Sequence, residues 1–327
     1  MNMNRTLDFF KNGFNGFHEW WRYLAGALII FIIWQLGSIP LFVAIFYKKA
    51  QEKGLDMLND MTESTDFMKV LSPNLTFFLL LLSFVFGLVG VFLMIKYLHQ
   101  QKILTSLTAR SKFDWNRFTF SFSLIAILII ISTLVDYWVN PSHYEIGFEW
   151  NSFIILALIG IVMVPLQTTF EEWFFRGYLM QGFGYIFKNR AVPFIITSLL
   201  FGLMHLANPE VAKLGYIVMI NYIGVGVFLG IMTLMDEGIE LAAGFHAANN
   251  LITALLVTAD WTAFNTPSIL RDVSEPEIGV DILLPILVVY PILLIILAKR
   301  YNWSNWNQKL FGKIKLNDDF TENSREY

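Results

Sequence analysis

No cysteine occurs among the 327 residues. Disulfides, thiol nucleophiles and cysteine-ligated zinc or iron–sulfur sites are thereby excluded, and any chemistry falls to Glu, Asp, His, Ser, Thr or Asn. Charge is also scarce: 15% of the residues are Asp, Glu, Lys or Arg, against roughly 25% in soluble domains. The net charge is only −3, and the basic residues lie in loops and at the tail without forming a stripe, which argues against a nucleic-acid partner. No internal repeat of the kind that marks common transporters is visible. The N-terminal stretch lacks a short apolar core followed by a small-residue cleavage site, so no removable signal peptide is expected and the first membrane helix should act as the insertion signal.

Apolar residues are what the chain has in excess, at 56% with a mean hydropathy of +0.55. The expected fold class is an all-α polytopic membrane protein, a bundle of about eight transmembrane helices around an intramembrane polar cavity. A span needs about 20 apolar residues, and that criterion places spans near 23–47, 72–97, 119–139, 151–178, 192–207, 211–235, 240–259 and 281–298. Residues 1–22 read as an interfacial aromatic segment, because 7–22 are too polar to span yet rich in Phe and Trp. His18-Glu19 begins like a zinc-protease motif but lacks its second histidine. Residues 23–300 form the membrane domain, with a functional core near 150–260, and 301–327 form a polar cytoplasmic tail whose end, Asn317–Tyr327, is expected to be disordered.

With the N-terminus inside, sixteen of the 23 Lys and Arg fall on the cytoplasmic side and six outside, the remaining one being Arg176 within a span. Both termini are therefore expected in the cytoplasm. A bacterial cell membrane is the expected location.

Three charges interrupt the fourth span, at Phe170-Glu171-Glu172-Trp173-Phe174-Phe175-Arg176-Gly177. Each ionised group near a bilayer centre costs on the order of 2.5–3.5 kcal/mol on insertion scales, so such residues face the protein interior or a water-filled cavity. Glu172 and Arg176 are four apart, in the acid-before-base order that favours an ion pair on one helix face. Glu171 lies about 100° around the helix and lacks that partner. The plainer alternative is that both carboxylates share the arginine and only lock the helix in its bundle.

Two further spans carry polar intrusions. Phe201 and His205 lie one turn apart on the fifth, and His246 and Asn250 one turn apart on the seventh. A lone membrane histidine is commonly a hydrogen-bond partner between helices, but four such desolvation penalties on three helices are hard to ascribe to packing alone. Together they make chemical sense as one site for amide hydrolysis. Glu171 could serve as the base and His205 could hold or deprotonate the same water, while His246 and Asn250 could donate to the carbonyl oxygen. The same Glu171, His205 and His246 could instead coordinate zinc with an open position for water. Sequence leaves both mechanisms open, and no cofactor is certain.

The series Glu171-Glu172-x-x-x-Arg176-Gly177, Phe201-x-x-x-His205 and His246-x-x-x-Asn250 resembles, in order and approximate spacing, the three motifs of the CPBP family of intramembrane proteases. That family includes the type II CAAX prenyl endopeptidases and the bacterial Abi proteins. The resemblance covers about residues 165–255. It implies an eight-helix endopeptidase with a cavity reachable from the cytoplasmic side, Glu171 and His205 activating water, and His246 and Asn250 stabilising the oxyanion in a metal-independent scheme. Glu172 and Arg176 match positions read as mainly structural, with Phe201 supporting the site. The expected partners are the lipid bilayer and a hydrophobic, prenylated or lipid-anchored peptide. The rival expectation is a non-enzymatic membrane protein, either a self-immunity or scaffold factor or a transporter, using the same residues for helix association or proton relay. One tension is geometric: His246 falls near the cytoplasmic end of its span and His205 toward the outer end of a short one, so convergence requires the fifth span to be tilted or displaced.

Overall fold

The computed structural model describes residues 8–13, 16–53, 69–276 and 279–314. The first seven residues of the interfacial segment and the polar tail at Asn317–Tyr327 lie outside them. The long elements are helices α1 (Trp20–Leu36), α2 (Ile39–Lys53), α3 (Pro73–Leu93), α4 (Trp115–Val139), α5 (Trp150–Glu172), α6 (Met180–Phe187), α7 (Ala191–Leu203), α8 (Met219–Asp236), α9 (Glu240–Leu256) and α10 (Tyr290–Tyr301). Six helical rods among the described residues are long and apolar enough to cross a membrane. The protein is an all-α polytopic membrane protein.

The boundaries follow local chemistry. Asp114 caps α4 by accepting from the backbone N–H groups of Asn116 and Arg117, which satisfies donors that a helix start leaves free. The expected span at 23–47 lies within one rod, Trp20–Glu52, in which a turn at Gly37 and Ser38 separates α1 from α2. Pro40 explains the turn, because it has no N–H to donate and its ring crowds the carbonyl four residues back. Residues 151–178 form one rod running on to Phe187, with a π-helical stretch at Trp173–Leu179 joining α5 to α6. The expected spans at 192–207 and 240–259 are the short ones, α7 with 13 residues and α9 with 17. The first ends early because the chain turns at Met204 and His205, and the second because Val257–Ala259 is extended.

Helix α9 is the core of the bundle, packed against α4, α5 and α8. Every residue from Glu240 to Ala248 is buried. Lipid gives no hydrophobic drive for one membrane helix to bind another, so close packing of small residues must supply it. Ala242, Ala243, Gly244, Ala247 and Ala248 provide that packing. Helices α7 and α8 also meet closely. A Cβ on Gly226 would lie 2.5 Å from the Ser198 carbonyl oxygen, and one on Gly202 only 3.1 Å from the Ile223 backbone. Gly226→Leu is therefore expected to splay the two helices and to destabilise the fold by about 1–3 kcal/mol, the usual range for overpacking, as read from unfolding in detergent micelles.

Two opposite faces of the bundle are tied together by the loops. On one, β1 (Tyr144–Ile146), β2 (Val257–Ala259) and β3 (Leu270–Asp272) form a sheet of order β1-β3-β2, with β1 antiparallel and β2 parallel to β3. The helical reading did not anticipate this sheet, since three-residue strands have no periodicity to detect. On the other, Glu237 is a hub. Its carboxylate accepts from the Phe9 N–H at 2.6 Å and meets Arg190 at 3.4 Å and Lys309 at 3.3 Å. Arg110 and Arg117 converge on Asp236 beside it. The described ends of the chain thus meet on one face. Phe9 and Phe10 are buried within the protein, whereas Phe17, Trp20 and Trp21 are exposed, so among the described residues of the aromatic segment the outward rings lie in its second half.

Candidate active site

Helix α5 brings Gln167, Glu171 and Glu172 to α9, and α7 and α8 approach from the other side. Glu172 and Arg176 are 3.0 Å apart and wholly buried, as their spacing predicts. The arginine is held on two further sides: Nη2 donates to the Gly226 carbonyl at 3.2 Å, and its guanidinium lies 4.3 Å from the centre of the Phe201 ring. The close crossing at Gly226 therefore places a backbone acceptor where the buried cation needs one.

His246 bridges the two glutamates. Its Nδ1 lies 2.8 Å from Glu172 Oε1 and its Nε2 lies 3.2 Å from Glu171 Oε2. Glu172 Oε1 thus receives both Arg176 and the imidazole, while Glu171 Oε2 has no hydrogen bond of good geometry. Exposure separates the carboxylates further: Glu171 retains 8% and Glu172 none. One turn along each helix, Asn250 Nδ2 donates to Gln167 Oε1 at 3.3 Å, and Asn250 is half-buried. The arrangement offers a sparsely partnered carboxylate beside an imidazole and an amide that can act as donors.

His205 joins through aromatic contacts. The Phe201 ring is 5.0 Å from His205 and 5.8 Å, edge-on, from His246. His205 is within electrostatic range of both Glu171 and His246. Helix α7 ends at Leu203, and His205 sits in the turn beyond it. Its Nδ1 donates to the Phe201 carbonyl at 2.8 Å.

A family profile described as type II CAAX prenyl endopeptidase Rce1-like matches residues 149–252. The uncharacterized protein YyaK of Bacillus subtilis (strain 168) is 31% identical over 253 residues, which are 77% of this chain and 83% of that protein. The chain belongs to the Rce1-like family. No solved structure matches it. The profile begins at the start of α5 and ends within α9, so it spans every residue of the constellation just described.

In this Rce1-like chain Glu171, Glu172, Arg176, Phe201 and His246 form one connected cluster. His205 borders it through Phe201, and Asn250 borders it through Gln167, four residues before Glu171. Gln167 was passed over in the sequence although a lone amide one turn before Glu171 meets the same criterion of polarity within an apolar span. Among the described residues, no group of three or more His, Asp or Glu side chains could hold a metal ion, and the expected donors Glu171, His205 and His246 are not arranged as one. A separate cavity of about 340 Å³ lies at the sheet face, lined by Lys69, Asp260, Thr266, Ser268 and Arg271 among others, away from the glutamates.

Proposed function

We propose that the chain is an intramembrane endopeptidase that hydrolyses a peptide bond of hydrophobic or lipid-modified, CAAX-like substrates. The observation that carries this reading is the meeting of Glu171, whose carboxylate is the less enclosed of the two, with His246 from another helix at 3.2 Å. Glu171, with His205, takes a proton from water, and the hydroxide attacks the carbonyl carbon. With its Nδ1–H held by Glu172, the doubly protonated His246 ring donates to the developing oxyanion through Nε2–H, as does Asn250 through Nδ2. As the C–N bond breaks, Glu171 returns the proton to the leaving amine, so the products are an acid and an amine. Glu172 and Arg176 hold the His246 ring in place from Nδ1. Membership in a family of endopeptidases supports this over the scaffold and transporter readings. The face that carries both described chain ends is assigned to the cytoplasm of a bacterial cell by the excess of basic residues there.

The test uses the purified chain in detergent with a farnesylated, internally quenched CAAX peptide and an unprenylated membrane-anchored peptide. Cleavage is expected for the wild type and is expected to be lost in His205→Ala and His246→Ala. Because no step depends on a metal, turnover should be unchanged after dialysis against a strong chelator. A chelator-sensitive activity restored by added zinc would replace this scheme with a metal-assisted one.

A further inference from the structure

His205 stands outside any regular element, in the turn that follows α7, and a general base needs an orientation fixed to within a few tenths of an ångström. One constraint is visible: the Nδ1–H donates to the Phe201 carbonyl. Because a carbonyl oxygen only accepts, that bond requires the hydrogen on Nδ1 and leaves Nε2 as the basic nitrogen of the neutral ring. A hydrogen bond at one edge still permits the ring to swing about it. The second constraint comes from α8. The ring of Tyr222 is stacked on His205, with centroids 4.3 Å apart and planes 21° from parallel.

Tyr222 is itself tethered. Its hydroxyl accepts from Asn208 Nδ2 at 3.1 Å, and Asn208 immediately precedes the short helix Pro209–Leu214. Glu210 in that helix accepts from the backbone N–H of Ala263 at 2.8 Å, through Oε1. The linker between α7 and α8 is thereby tied to the loop that follows α9, the helix carrying His246 and Asn250. Helix α8 sets this geometry because Gly202 lets α7 close on Ile223, the neighbour of Tyr222. One turn further on, Gly226 receives Arg176. A single face of α8 thus supports both halves of the site.

We infer that Tyr222 is a positioning residue for His205, clamping the imidazole plane so that Nε2 faces the water shared with Glu171, with Asn208 holding Tyr222 in turn. This rests on the peptidase reading of His205. Tyr222→Leu, which removes the ring, is expected to lower kcat on the farnesylated CAAX peptide by roughly 10–100-fold with KM little changed, the pattern of misplaced machinery rather than lost binding. Tyr222→Phe keeps the stack and should stay within about threefold of wild type.

A readout independent of activity is the ¹⁵N spectrum of histidine-labelled protein in lipid bilayers, which has only five histidines to resolve. Wild type and Tyr222→Phe should show His205 as a single Nδ1–H tautomer. Tyr222→Leu should show a tautomer mixture at His205 with the His246 signals unmoved. An unaltered His205 signal with wild-type turnover in Tyr222→Leu would overturn the inference, as would equal disturbance of His205 and His246, which marks a general packing role. If the wild type cleaves neither peptide while the His205 signal alone responds to Tyr222, the clamp stands and the peptidase reading fails.

Discussion

Glu171→Gln is expected to lower kcat/KM for the CAAX peptide by about 10²–10⁴, the range for loss of a general acid–base group, while leaving the fold intact. The amide is nearly isosteric with the carboxylate and can still face His246, but it cannot take a proton from water. The neighbouring Glu172 cannot replace it. That residue is fully buried, and its Oε1 is already committed to both Arg176 and His246. The expectation is checked by steady-state kinetics beside a thermal unfolding curve. If Glu171→Gln turns over within threefold of wild type, Glu171 is not the base, whatever the family. A variant that is inactive because it no longer folds would show a shifted unfolding midpoint, and an isosteric change that keeps the contact with His246 should produce little shift.

The membrane class and the residues of the candidate cluster stood out in the sequence for different reasons. Apolar run length reports directly on bilayer thickness, so the long helices lie where hydropathy placed them. Three charges and two histidines inside such runs stand out because burying them is costly. The Glu172–Arg176 pair was readable because both partners are on one helix, where spacing fixes distance. The bridging of Glu171 and Glu172 by His246 was not, because two separate helices create it and no local pattern encodes their rotation. The same holds for the Tyr222–His205 stack and for the Glu237 hub, which collects Phe9, Arg190 and Lys309 from distant points in the chain. The sheet was missed because strands as short as Tyr144–Ile146 are defined by their partners alone.

The largest stability effect is expected at Arg176. Arg176→Met keeps the length and apolar contacts of the side chain but leaves the Glu172 carboxylate, with no solvent exposure, deprived of its cation. Removing one partner of a buried pair typically costs about 3–5 kcal/mol, because the remaining charge cannot be hydrated. The lost contact with the Phe201 ring and the freed Gly226 carbonyl add to the cost. Pairing the change with Glu172→Leu removes the stranded charge as well, and the double variant should regain most of the loss, since an apolar replacement of a whole buried pair is often close to neutral. Unfolding of the two single variants and the double in detergent micelles gives the coupling. Additive losses would mean that the pair contributes no mutual stabilisation. Activity should not follow stability in the double variant, because His246 Nδ1 has lost Glu172 as its anchor. The double variant is therefore expected to fold and yet turn over slowly, which separates what this pair does for the bundle from what it does for the orientation of His246.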